Sequence, residues 1–201
     1  MSNDYNYLNH AHALVETVKG TTPFNIEDLM MEDRKLWLTC PINPVTMNEL
    51  LKQLMYLEQK DPEKEITLFI NSSGGEVYSG LTVYDYMRMM RSPIRTVCTG
   101  TAASMASILF LAGDKREMFP HSQLMIHDPS YRSADFSGMK PDEIELFLDS
   151  LKETRRTLAD IISERSGQSM EEVLSKTRCD TYLTSEEAIK LGLATGVVSP
   201  G

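Results

Sequence analysis

From residue 35 onward, short apolar runs alternate with longer stretches in which apolar residues recur every three or four positions. The runs "KLWLTC" (35–40), "EITLFI" (65–70) and "IRTVCT" (94–99) predict strands, and "REMF" and "QLMIH" are shorter strand candidates. "PVTMNELLKQLMYLEQKDP" (44–62) predicts a helix, with Thr46 and Glu49 spaced as a capping box and Leu50, Leu51, Leu54, Met55 and Leu57 as its buried stripe. "VYSGLTVYDYMRMMRS" (77–92) repeats the helical spacing at Leu81, Tyr84, Met87 and Met90, a stripe that reads as core. "MASILFLAG" is apolar on all sides, as a helix in the centre of a fold must be. "KPDEIELFLDSLKETRRTLADIISERSG" (140–167) predicts a long helix, opened by Pro141 and closed by Gly167. Capping boxes at Ser169/Glu172 and Thr184/Glu187 open two final short helices.

Strand–helix alternation of this kind predicts an α/β fold of repeated βαβ units, with a largely parallel sheet covered by helices. In such sheets reacting groups gather at the carboxyl ends of the strands. Three segments fall at such ends: "NSSGG" after "EITLFI", "TGTAAS" after "IRTVC" and "HDPS" after "QLMI". Their convergence lifts Ser104 above a small packing residue. A serine hydroxyl needs a base to take its proton, and the base needs a third group to fix its tautomer. His127 ends an apolar strand at the same edge. His10 and His12 lie in a polar arm where "HAH" reads as a solvated tail, and His121 follows Pro120 in an exposed turn. For the third group Asp114, Asp128, Asp135 and Asp180 are all available, and spacing does not choose among them. Oxyanion donors are offered by the N–H of Met105, at a helix start, and by the Gly74-Gly75 turn, where no Cβ blocks close approach.

Composition narrows the picture further. The chain of 201 residues suits one domain, and residues 1–23 read as a polar N-terminal arm before a single domain at 24–201. A formal net charge of −9 argues against nucleic acid or an anionic membrane as partner. Three cysteines, Cys40, Cys98 and Cys179, without C-x-x-C spacing, fit neither a metal cluster nor a disulfide framework and point to a reducing, cytoplasmic setting. No signal-peptide core and no membrane-length apolar run is present in the sequence.

"LFINSSGGEVYSGLTVYDYM", "TGTAASMASILFLAG", "LMIHDP" and "DTYLTSEEAIKLGL" resemble, in order and spacing, the ClpP family of self-compartmentalising serine peptidases, over residues 35 to 198. The resemblance implies Ser104 as nucleophile, His127 as general base, Asp180 as the orienting carboxylate, and the N–H groups of Gly75 and Met105 as oxyanion-hole donors. It implies a crotonase-like αβ head with a protruding handle at about 128–167, the long helix being its main part. It also implies heptameric rings stacked in pairs to a tetradecamer, fed with unfolded polypeptide by a hexameric AAA+ ATPase such as ClpX, ClpA or ClpC. No metal or nucleotide cofactor is implied for this subunit, since ATP is used by the ATPase.

The sequence also departs from the family pattern. The usual "GER-x-YDIYSRLL"-like run is replaced by "GTTPFNIEDLMMEDRKLWL", "NSPGG" by "NSSGG", the glycine-rich strand after "MIHDP" by "SYRSADFSGMKPDE", and the Glu-Arg before Asp180 by Arg178-Cys179. These changes suggest a divergent paralogue that assembles with a second ClpP-type subunit in mixed rings. Two other functions stay open at this level: a catalytically silent structural or regulatory subunit, and an acyl-CoA enzyme of the related crotonase fold, whose enolate chemistry has no need of a serine nucleophile.

Overall fold

The computed structural model describes residues 12–18, 20–130 and 136–199. A first pair of antiparallel strands, β1 (His12–Thr17) and β2 (Gly20–Asn25), stands apart from the main sheet and leads into α1 (Ile26–Glu32). The polar arm is therefore structured over these residues, which its composition did not suggest: main-chain pairing between strands is indifferent to side-chain polarity.

Among the described residues, the main sheet has seven strands. β3 (Lys35–Leu38), β4 (Ile66–Ser72), β5 (Ile94–Ala103), β6 (Lys115–Met118) and β9 (Gly196–Val197) follow one another in parallel. The crossovers between them are α2 (Pro44–Lys60), α3 (Val77–Met89) and α4 (Met105–Leu111). β5 is longer than its apolar run predicts because it serves two neighbours. Its first half pairs with β6, and Thr101–Ala103 pair in parallel with β7 (Gln123–Ile126). β8 (Thr181–Thr184) then runs antiparallel to β7. α5 (Pro141–Ser166), α6 (Met170–Thr177) and α7 (Ser185–Lys190) complete the chain.

The helix boundaries follow local chemistry. α5 has Pro141 in its first turn and ends at Gly167, whose φ of 77° is the left-handed conformation that glycine adopts without a Cβ penalty. Both predicted boxes before α6 and α7 form: Ser169 with Glu172 and Thr184 with Glu187. The box predicted for α2 does not. Asn43 is the cap, accepting from the N–H groups of Val45 and Thr46, while the Thr46 hydroxyl accepts from the Asn43 N–H. Asparagine satisfies two orphan amides there, and Glu49 instead pairs with Lys52 at 2.7 Å. The α2 stripe is also rotated: Met47, Leu50, Leu54 and Leu57 are buried, Leu51 is half-buried, and Met55 faces outward.

Two helices define the limits of the core. All seven residues of α4 are buried, from Met105 to Leu111. α5, by contrast, buries only Thr154, Leu158, Ala159 and Ile162, all in its second half. Arg165, near the end of α5, joins the two: its Nε donates to the Leu111 carbonyl and its Nη2 to that of Gly113, both at 2.8 Å. These bonds fill acceptors that the C-terminus of α4 leaves without helical partners.

Candidate active site

Parallel register brings the three loop segments together. Ser72 pairs with Ala102, and Ala103 pairs with Met125, so the chain leaves β4, β5 and β7 at one edge of the sheet. Ser104 connects β5 to α4 with no loop between, at φ 54° and ψ −125°. A non-glycine residue in that region carries strain on the order of 1–3 kcal/mol. Its N–H donates to the Met125 carbonyl at 2.9 Å, and its own carbonyl accepts from the Ser107 N–H at 2.9 Å and the Ser107 hydroxyl at 2.6 Å. Those bonds hold the sharp strand-to-helix turn and direct the side chain into the cleft.

The antiparallel pair β7–β8 supplies the next two groups. Its register pairs Gln123 with Thr184 and Ile126 with Thr181, so one step further His127 stands opposite Asp180. The Ser104 Oγ lies 2.8 Å from His127 Nε2, and His127 Nδ1 lies 3.1 Å from Asp180 Oδ1. With the carboxylate accepting at Nδ1, the neutral ring carries its proton there, and Nε2 accepts from the serine hydroxyl. Of the other aspartates left open by the sequence, Asp114 accepts from Arg88 and from the Ile94 N–H, and Asp128 pairs with Arg155. Asp135 lies outside the described residues, as does His10.

The glycine turn lies against the start of α4. Gly74 is the residue of closest approach: a Cβ on it would sit 2.5 Å from the Ala103 carbonyl oxygen and 2.9 Å from the Met105 nitrogen. Gly75 bridges to Ile42, with the Ile42 N–H donating to the Gly74 carbonyl and the Glu76 N–H donating to the Ile42 carbonyl. That pattern uses the flanking peptide groups and turns the Gly75 N–H away from Ile42. Met105 is the first residue of α4, so its N–H has no acceptor within the helix. Gly75 and Met105 line one cleft with Ser104 and His127.

The cleft has a volume of about 690 Å³ and apolar walls that include Ile108, Met125, Leu158 and Ile162. Phe147, from the exposed half of α5, also reaches it and meets Phe136 edge-on with ring centroids 5.3 Å apart. Sequence reasoning singled out the Gly74-Gly75 turn for close approach but missed Phe147. The exposed His121 lies away from this cleft's lining. Among the described residues, no group of three or more His, Cys, Asp or Glu side chains could hold a metal ion. Among them, too, no helix is long and apolar enough to cross a membrane.

A hydroxyl, an imidazole and a carboxylate in a row, beside backbone N–H groups at a helix start, form the arrangement of a serine hydrolase site. The Clp protease family profile matches residues 18–201. The chain is 36% identical over 189 residues to an ATP-dependent Clp protease proteolytic subunit of Deinococcus radiodurans, covering 93% of this chain and 91% of that protein. The chain belongs to the Clp protease family of serine endopeptidases.

Proposed function

We propose that this chain is a catalytically active proteolytic subunit of a self-compartmentalising, ATPase-dependent protease that cuts unfolded polypeptides into short peptides. The observation that carries this reading is the unbroken row from Ser104 Oγ through His127 to Asp180, at 2.8 and 3.1 Å. Ser104 attacks the peptide carbonyl while His127 Nε2 takes its proton, later giving it to the leaving amine. Asp180 orients the imidazole and stabilises its charged form. The N–H groups of Gly75 and Met105 stabilise the oxyanion, and water then releases the acyl group with His127 again as base. The apolar walls of the cleft favour a substrate side chain of the same character. The subunit uses no metal or nucleotide of its own.

The exposed first half of α5 is the handle through which two heptameric rings of a single-domain subunit stack. It carries Ile144, Leu146 and Leu148 on its surface, apolar area that a second ring would cover. The tetradecamer is cytoplasmic, receives unfolded chains from a hexameric AAA+ ATPase such as ClpX, ClpA or ClpC, and includes a second ClpP-type subunit. Fluorophosphonate labelling of the assembled particle tests the catalytic reading. Ser104 is expected to be modified in the native protein and unmodified in His127→Ala, with kcat lowered by about three or more powers of ten. An assembled particle that takes no label at Ser104 sinks the reading in favour of a silent subunit.

A further inference from the structure

The last ladder pair of β7 and β8 is Ile126 with Thr181, so His127 and Asp180 both lie one step beyond the sheet. Their hydrogen bond does not by itself hold the imidazole firmly. The Asp180 side chain is 60% exposed, against 18% for His127, so water competes for the carboxylate. What fixes the backbone at this point is the next residue. The Asp128 N–H donates to the Thr177 carbonyl at 2.7 Å, and its Oδ2 lies 2.7 Å from Arg155 Nε. The Arg155 Nε is buried and makes no aligned hydrogen bond, so the charge of Asp128 is what compensates it.

Arg155 occupies a particular place on α5. It follows Thr154, the first buried residue of that helix, where the exposed half meets the body of the protein. The contact therefore joins the residue after the imidazole to the root of the long helix, 27 positions away in the chain. With side chains 37% and 27% exposed, the pair contributes little to folding. Its geometric consequence is larger, because it restrains the segment that carries the base.

We propose that Arg155 is a positioning residue: through Asp128 it holds His127 in line between Ser104 and Asp180, and so ties the geometry of the triad to the root of α5. This rests on the catalytic reading given above. Removing the restraint lets the imidazole depart from Ser104 without altering the cleft that binds substrate. The loss accordingly falls on kcat and on the reactivity of Ser104, with substrate binding spared.

The test compares Arg155→Met, Asp128→Asn, the double variant and Arg155→Lys in assembled particles of verified mass. Arg155→Met is expected to lower kcat on a short peptide about tenfold to a hundredfold, with KM within about twofold. Fluorophosphonate labelling of Ser104 should slow in parallel. The double variant should lose no more than the worse single one, and Arg155→Lys should recover most of the rate. Unchanged kcat in Arg155→Met, with native Ser104 labelled, overturns the positioning role alone. Additive losses in the double variant, or loss of the particle in every variant including Arg155→Lys, also overturn it. Native particles without label at Ser104 overturn the catalytic reading and this inference with it.

Discussion

Helices α4 and α5 answer opposite demands. α4 is short, has no charged residue, and is buried at every position, so its place is set by the surrounding sheet and helices on all sides. α5 is nearly four times as long, and no residue of its first half is buried among the described residues, although Phe147 reaches the cleft. Leu146, 73% exposed, and its neighbours Ile144 and Leu148 stand on that half, where only another surface could cover them. The enclosed helix carries at its N-terminus the groups that need fixed geometry, Ser104 and the Met105 amide. The long one leaves apolar area exposed, which the proposed ring pairing would cover. The lesson is that apolar residues differ in meaning between the two: in α4 they are enclosed and fix its position, and in the first half of α5 they are left on the surface.

The contrast can be broken most forcefully at Phe110, wholly buried in α4. Phe110→Ala is expected to cost about 3–5 kcal/mol of folding stability, read by chemical denaturation, because the surrounding core cannot collapse into the space. A loss near zero would mean that packing does not hold α4 in place. Next comes Gly74→Ala, whose Cβ would meet the Ala103 oxygen, the Met105 nitrogen and the Ser104 Cβ, the last two at 2.9 Å. Displacing the start of α4 from the glycine turn should lower kcat by about a hundredfold to a thousandfold, the cost of one oxyanion donor. Steady-state peptidase assays would read it.

On α5 the expected effect on folding is far smaller. Leu146→Ser should change the stability of the chain by no more than about 0.5 kcal/mol, since its side chain touches little. Native mass measurement should nonetheless show fewer paired rings; undiminished pairing would remove the partner-facing role of this half. The smallest effect lies outside both helices and is confined to alkaline pH. Tyr86 donates to Glu58 at 2.6 Å, and burial first, then that hydrogen bond, push its phenol up to about 12. Its folded value lies above the unfolded one of about 10, so its contribution is present below pH ~10 and lost as pH rises towards 12. Tyr86→Phe should flatten the fall in stability across that window, as followed by urea midpoints.

How far the chain could be read without coordinates depended on the range of the interaction. The caps at Ser169 and Thr184 and the apolar run of α4 are encoded within a few residues, and each formed as expected, whereas the α2 stripe formed rotated, with Met55 outward. Even local chemistry misled where two signals overlapped: Thr46 serves a cap centred on Asn43. The gathering of the "NSSGG", "TGTAAS" and "HDPS" segments followed from strand–helix alternation alone, because parallel strands place their carboxyl ends together. The β1–β2 pairing left no trace in the arm's composition, since it rests on main-chain hydrogen bonds.

The sequence by itself determined the alternation of strands and helices from β3 to β7, and with it that a serine and a histidine would meet at one edge of the sheet. Spacing left the aspartate open and the family resemblance implied Asp180, but only the tertiary structure sets its carboxylate within hydrogen-bond distance of His127. His127 and Asp180 are 53 positions apart, and what aligns them is the antiparallel register of β7 on β8. That register depends on side chains from both strands packing together, so no spacing within either strand could specify it.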